Sequence, residues 1–528
     1  MQLNVPFLYA TIGEKEALLM ERSYNNIRLS GMDAPSDARH VPYLEEPPVV
    51  IDITVGRQLF VDDFLIDSTD LTPEYHTAQK TGAPVLSPET PWERDGAPCA
   101  CPKSGGVWYD ERERKFKMWY EAGWLRHMAY AESADGLTWE RPDLGIVAGT
   151  NLILPYTQRQ DALDMSEGDT AYLRPDSTTV WIDDTAPPEE RYKLFLRNPG
   201  VQMPGVAAVS GDGVHFHRFR QTGNTFDRST MFYDPFRKKW AYSIRAADAQ
   251  PDGSWLRYRR YRECDDYLEG AGWSDADARP WLYCDELDLP HPYIGFPPQL
   301  YNVDCVGYES LMLGMFQIMY GPENPVCERY GVPKITELMP MYSRDGYHFS
   351  RPCRDSLIPA SMHPGAWDRG YVQSVGGVLV IHGDELWIYY SGFGGDPAYR
   401  CRPWTDNGMY RNGATGLAKL RRDGFVSMNG TGRLTTRLLC MTGKTGMLVN
   451  ADGSVTVRIL SPEGETLAVS EPLTGDSTHH TVRFPHFELK TLEKKPFRLE
   501  FAVCGKLYSF GFTDAAGDCG GAHAAGRL

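Results

Sequence analysis

Nowhere in the 528 residues does an unbroken apolar run approach the length needed to cross a bilayer as a helix, so no membrane span is expected. Basic residues are in deficit: 54 Lys and Arg stand against 70 Asp and Glu, for a net charge of −16. Such a surface repels phosphate backbones and anionic lipid, which excludes nucleic acid and membranes as expected partners. The 11 cysteines are odd in number and scattered, with Cys99-Ala-Cys101 the one close pair. That spacing matches no usual zinc pattern, so buried, reduced, structural thiols are expected in place of a disulfide framework. The first residues carry Glu14, Glu16 and Glu21 and lack a basic region before an apolar run, so they do not read as a secretory signal, and a cytoplasmic location is expected. A glycine-rich phosphate loop, a Gly-x-Ser-x-Gly elbow and a His-Glu-x-x-His helix are all missing. Nucleotide, esterase and zinc-protease chemistry therefore lose their support, and no cofactor or metal is expected.

What the chain does have is 12% aromatic residues, 51 Gly and 38 Pro. Many aromatics with frequent Gly and Pro punctuation favour short strands and tight turns over long helices. Three segments share the pattern Ser-x-Asp-Gly-x-x-aromatic, starting at Ser133, Ser210 and Ser343 and reaching Trp139, Phe216 and Phe349. Asp-Gly supplies a turn with a left-handed residue, and the aromatic can anchor the next strand. A second repeat is an apolar strand, a charged turn and another apolar strand. It runs Val107–Tyr120, Val180–Phe195 and Met231–Trp240, with a shorter version at Val378–Tyr390. A hairpin followed by an Asp-Gly turn makes four strands per roughly 70 residues, the size of one propeller blade. The fold expected is all-β: a five-bladed β-propeller over 55–412, followed by an antiparallel β-sandwich over 413–513. Residues 1–54 read as a lead-in and 514–528, rich in Gly and Ala, as a flexible tail.

In a propeller the innermost strand of each blade lines the axial funnel. One acidic residue stands shortly before each hairpin, where that strand should run: Asp95, Asp176, Asp227, Glu309 and Asp368. Carboxyls gathered at one axis push some of their number toward protonation. Glycosidic cleavage needs that division, with one acid protonated and another ionised. Any one of these aspartates can instead close a local turn through its own side chain. Glu309 stands out because it sits inside a nearly unbroken apolar strand, Tyr308-Glu-Ser-Leu-Met-Leu-Gly-Met-Phe, where a carboxyl is costly without a cavity or a partner. Asp62 and Asp63 read better as a turn. Arg228 and Arg369 follow two of the acids directly, and Lys334 and Arg344 flank the fourth hairpin. His291, His363, Trp119, Trp124 and Trp367 can stack on or hydrogen-bond to a sugar ring, although blade core is the favoured place for each Trp.

These features resemble the propeller glycoside hydrolases of families 32 and 43, the invertases, levanases and arabinanases. The stretches Gly106-Val-Trp-Tyr-Asp-Glu, Lys115–Tyr120, Tyr308–Gly314, Ser343-Arg-Asp-Gly and Gly370–Ser374 are similar to family-32-like bacterial proteins. The resemblance implies an oligosaccharide or glycoside substrate, an aspartate nucleophile or base, a second aspartate orienting the sugar, and a glutamate acid. On that reading Glu309 is the general acid, Asp227 the nucleophile or base, and Asp176, ahead of Asp95, the candidate for the orienting carboxylate. Asp95, Arg228, Asp368, Arg369, His363, Lys334 and Trp119 are then the expected substrate contacts. The family's Trp-x-Asn-Asp-Pro-Asn-Gly and Arg-Asp-Pro signatures are absent, with Asp227-Arg-Ser-Thr nearest to the second, so fructan specificity does not carry over. Arg262-Glu-Cys-Asp265 copies the family's Glu-Cys pair only superficially and reads as an outer strand. The competing readings are a non-catalytic carbohydrate-binding propeller, or a lyase or phosphorylase acting on the same sugars.

Overall fold

The computed structural model describes residues 23–29, 32, 34–155, 176–197, 204–251, 255–398 and 408–528. They form two compact units. The larger comprises Glu74–Tyr342, Arg351–Ser427 and Ala522–Leu528. The smaller comprises Met1–Pro73, Ser343–Ser350 and Met428–Gly521.

The larger unit is a five-bladed β-propeller. Blade 1 is built on Ala100–Cys101, Val107–Asp110, Lys115–Ala122, His127–Ser133 and Leu152–Leu154. Blade 2 runs through Asp176–Ile182, Tyr192–Arg197, Pro204–Ser210 and His217–Asn224. Blade 3 runs through Thr230–Asp234, Lys239–Ala249, Trp255–Cys264 and Arg279–Leu282. Blade 4 pairs Gln299–Glu309, Leu311–Gly321 and Ile335–Ser343. Blade 5 joins Gly370–Gln373, Val380–His382, Glu385–Phe393 and Gly413–Arg421, and the early segment Gln79–Lys80 pairs with its last strand, tying the start of the unit to its end.

Both sequence repeats are visible as hydrogen bonds. In each Ser-x-Asp-Gly turn the serine hydroxyl accepts from the Asp and Gly amides, and the Asp carboxylate accepts from the two amides beyond. This holds at Ser133/Asp135, Ser210/Asp212 and Ser343/Asp345. The glycines sit at φ 71°, 79° and 81°, a conformation a side chain disfavours. Asp110 and Asp234 close the charged hairpin turns in the same way, each accepting from two amides downstream. Trp119 fills the gap between blades 1 and 2, packed on Tyr130 and Tyr192.

Two segments sit elsewhere than the sequence places them. Gly413–Arg421, expected to open the C-terminal domain, is a strand of blade 5. The last residues, expected as a loose tail, join the propeller: Ala522–His523 pairs with Tyr308–Glu309, and the Ala525 carbonyl accepts from the Tyr109 amide. The Gly526 carbonyl accepts from the Ile381 amide, and the Leu528 amide donates back to Ile381. Three blades are thus tied by seven residues. The cause is backbone: these amides and carbonyls meet open partners on strands already formed, which outweighs the low intrinsic order of Gly and Ala.

In the smaller unit the expected C-terminal strands are gathered in one eight-stranded sheet. Its long strands Gly446–Leu460 and Arg498–Thr513 meet at Gly453 and Gly505, and Gly430 and Gly475 on the flanking strands continue the row. All four have φ between 90° and 134°, and a Cβ at Gly505 would lie 2.2 Å from the Asp452 carbonyl oxygen. Strand segments on both sides of this row feed one core, with Phe501 and Phe510 in contact at 5.4 Å between ring centroids.

Candidate functional site

At four blades a non-glycine residue in the left-handed region marks the entry to the innermost strand: Lys103 (φ 53°), Ser177 (φ 51°), Arg228 (φ 59°) and Tyr371 (φ 50°). Strand register slips beside Ser177 and Tyr371, and again on blade 4 between Leu300 and Asn302. Such bulges re-aim side chains at the cost of local strain, and here they turn them into one cavity. The cavity measures about 330 Å³ and is lined by Asp176, Asp227, Lys103, Arg197, Arg228, Arg245, Arg257, Lys334, Tyr301, Tyr371, Tyr410, Trp124, Leu125 and Asn324. Each of the five blades contributes.

The two carboxylates differ in setting. Asp176 is buried; burial opposes its charge, but Lys103, Arg197 and Arg228 outweigh that and hold it at about 2. It accepts from Arg197, and the Lys103 ammonium lies 3.4 Å away. Asp227 is 40% exposed, with the Arg245 guanidinium at 3.1 Å. Desolvation raises its pKa while Arg245 and Arg197 lower it, and the balance is a carboxyl below its usual range. Both are therefore ionised at neutral pH.

Proton-holding character resides in other groups. Tyr301 donates to or accepts from Tyr371 at 2.9 Å, and Lys334 donates to its oxygen at 3.3 Å. Burial alone would raise the Tyr301 phenol, yet Lys334 pulls it below its ordinary value. Asp304, on the innermost strand of blade 4, is raised by burial despite hydrogen bonds from Ser374 and Ser104. Glu121 is likewise raised by burial, against the pull of Lys103, with which it pairs. Neither Asp304 nor Glu121 lines the cavity.

Of the residues expected from sequence, Asp176, Asp227, Arg228, Lys334 and Trp124 come together here. The others do not. Glu309 lies where the C-terminal segment pairs, its carboxylate 2.7 Å from Arg422, so its buried charge has a structural partner and no place in the cavity. Asp95, itself exposed, pairs with the largely covered side chains of His127 and Arg126. Asp368 is held by Lys80 at 2.7 Å, Tyr390 and Ser361, away from the cavity. Arg369 and His363 belong to the segment before blade 5, where the Arg369 carbonyl accepts from Met362 and His363 is exposed. Trp119 is core, its indole N–H donating to the Gly213 carbonyl at 2.7 Å. Arg344 pairs with Asp62 inside the smaller unit.

Sequence reasoning missed Lys103, Arg197, Arg245, Arg257, Tyr301, Tyr371 and Tyr410. A signal existed for two of them. Arg197 and Arg245 each stand five residues after the first aromatic of the second hairpin strand, Tyr192 or Trp240, and Glu121 holds the same place after Phe116.

Among the described residues no group of three or more His, Cys, Asp or Glu is placed to hold a metal, and no helix is long and apolar enough to cross a membrane. No family model matches the chain, and no curated protein does. Solved structures with a similar course of chain include an N-acetylgalactosamine deacetylase from F. plautii, crystallised with blood group B trisaccharide. It has 16% identity and a TM-score of 0.45, over 66% of this chain and 96% of that one. A thermostable family-43 glycoside hydrolase has 12% identity and a TM-score of 0.38, over 64% and 97%. A family-43 arabinoxylan arabinofuranohydrolase from Bacillus subtilis has 10% identity and a TM-score of 0.35, over 80% and 96%. The blade count rests on the sheets themselves.

Proposed function

We propose that the axial cavity of the propeller cleaves glycosidic bonds of an oligosaccharide. The observation carrying this reading is that an ionised, half-exposed Asp227 and the lowered phenol of Tyr301 line the same cavity, beside the fixed charge of Asp176. Hydrolysis at a sugar carbon needs a group that takes a proton from water, or attacks directly, and a group that gives one to the leaving oxygen. Asp227 fills the first role and Tyr301 the second. The anomeric C–O bond breaks, the Tyr301 proton passes to the departing oxygen, and the oxygen of one water joins the sugar while its proton passes to Asp227. Asp176, locked among Lys103, Arg197 and Arg228, orients hydroxyls of the sugar. Trp124, stacked on Tyr410 at 3.9 Å, provides a flat apolar wall.

One observation favours a second reading. Six cationic side chains face two carboxylates in the cavity, which suits elimination at a uronic acid or attack by phosphate on the same sugars. Incubation with a broad oligosaccharide panel separates the outcomes. Hydrolysis releases reducing ends without phosphate, elimination creates an ultraviolet-absorbing double bond, and phosphorolysis proceeds only with inorganic phosphate. Sugar bound but never cleaved across the panel would leave a binding module and end the enzymatic reading.

A further inference from the structure

Four of the six cations in the cavity already have an acid. Lys103 pairs with Glu121 and Asp176, Arg197 with Asp176, Arg245 with Asp227, and Arg257 with Glu323 at 3.5 Å. Arg228 and Lys334 have no carboxylate within ion-pair distance among the described residues; Asp176 and Asp304 act on Arg228, and Asp227 on Lys334, only from further away. Arg228 is 3% exposed, its backbone N–H donating to Ser177 Oγ and its carbonyl accepting from Arg259. Its guanidinium reaches Ser104 Oγ at 3.4 Å, while Nε and Nη1 find no hydrogen-bond partner among the described residues. Lys334 is also 3% exposed. Its ammonium has the Tyr301 hydroxyl and the faces of Tyr301, Tyr371 and Tyr410 around it, at 4.9 to 5.8 Å from the ring centroids.

Two buried positive charges with no carboxylate in ion-pair contact among the described residues, opening onto one cavity, are costly to a fold and suit a ligand of opposite charge. The arrangement is not a product of overall composition, since the chain as a whole carries a net charge of −16. We infer that Arg228 and Lys334 form an oxyanion subsite at the cavity, built for a phosphate, sulfate or carboxylate group that is either carried by the sugar or supplied free. A guanidinium donates to such a group through fixed N–H directions, an ammonium neutralises it as a point charge, and the Tyr301–Tyr371 hydroxyl pair offers a further donor. The inference deepens the glycosidic reading by giving the charge of one reactant, and its test is independent of turnover.

The experiment measures thermal unfolding and binding calorimetry of the full chain with inorganic phosphate, inorganic sulfate and galacturonate, against sodium chloride at equal ionic strength. The wild type is expected to bind at least one of these with one-to-one stoichiometry and to gain melting temperature. Lys334→Met should lose that gain and weaken binding at least tenfold. It should melt no lower than wild type when no anion is present, because it removes an unpaired buried charge. Arg228→Gln, which keeps an amide donor toward Ser104, should weaken binding likewise. Preference for phosphate or sulfate points to a free inorganic group or a phosphorylated or sulfated sugar, and preference for galacturonate to a uronic acid. If none of the three raises the melting temperature of wild type above that of Lys334→Met, or if Lys334→Met binds them as tightly, the subsite is disproved. Neutral oligosaccharides cleaved at full rate in that case would leave the glycosidic reading standing; anion binding without cleavage of any glycan would do the reverse.

Discussion

Asp227 and Glu309 are both acids that the sequence offers for catalysis, and the structure gives them opposite settings. Asp227 faces a cavity beside Arg245, whereas Glu309 faces Arg422 beneath a paired terminal segment. Asp227→Asn is expected to lower the rate of glycan cleavage at least a hundredfold with little change in melting temperature, as assayed on whichever oligosaccharide the panel identifies. Glu309→Gln is expected to do the opposite: to retain the rate and to lose about 3 kcal/mol in denaturant unfolding, since it breaks a buried ion pair. Asp176 gives a pH signature. Its folded-state value of about 2 lies below the ordinary carboxylate value of about 4, so the stability it contributes is complete above about pH 4 and is lost as pH falls toward 2. That contribution is on the order of 2 kcal/mol. The melting-temperature gap between wild type and Asp176→Asn should therefore narrow between pH 5 and pH 3, and a gap independent of pH would contradict it.

At the scale of elements, the innermost strands show why the period was legible and the register was not. The Asp-Gly turns and charged hairpins recur because each blade needs the same turn chemistry, and a turn writes its residues into sequence. Which residue of the following strand meets the axis depends on the left-handed residue at Lys103, Ser177, Arg228 or Tyr371, and those four share no side chain. Where the acid directly precedes that residue, at Asp176 and Asp227, the acid expected from sequence lines the cavity. At blades 1, 4 and 5 the nearest acids lie off it, and Lys103, Tyr301 and Tyr371 take the axis instead. The terminal segment was unreadable for a related reason, since its pairing runs through backbone groups that any sequence carries. Deleting Ala522–Leu528 removes that pairing from three blades and is expected to lower the melting temperature by several degrees; circular dichroism would show it. The glycine row of the smaller unit is equally specific. Gly505→Val meets the Asp452 carbonyl at a φ of 132° and is expected to cost more than about 3 kcal/mol or to prevent folding, read by soluble yield and denaturant melts.

Across the whole molecule, architecture proved more legible than chemistry. An all-β chain with five blades follows from composition and two interleaved repeats, because burying short strands pairwise leaves few alternatives. The cationic character of the cavity was hidden by the net charge of −16, which describes the surface and not a cavity walled by six Lys and Arg. Those side chains come from four blades, three of them from blade 3, and only closure of the ring brings them all together. The central claim is that glycosidic cleavage belongs to this cavity and not to the acid that stands out most in the sequence. The most direct test compares the rate of product release by wild type, Asp227→Asn and Glu309→Gln on one oligosaccharide substrate at neutral pH. Loss of at least a hundredfold in Asp227→Asn with a near wild-type rate in folded Glu309→Gln is the predicted result; an active Asp227→Asn beside a folded but inactive Glu309→Gln would contradict it.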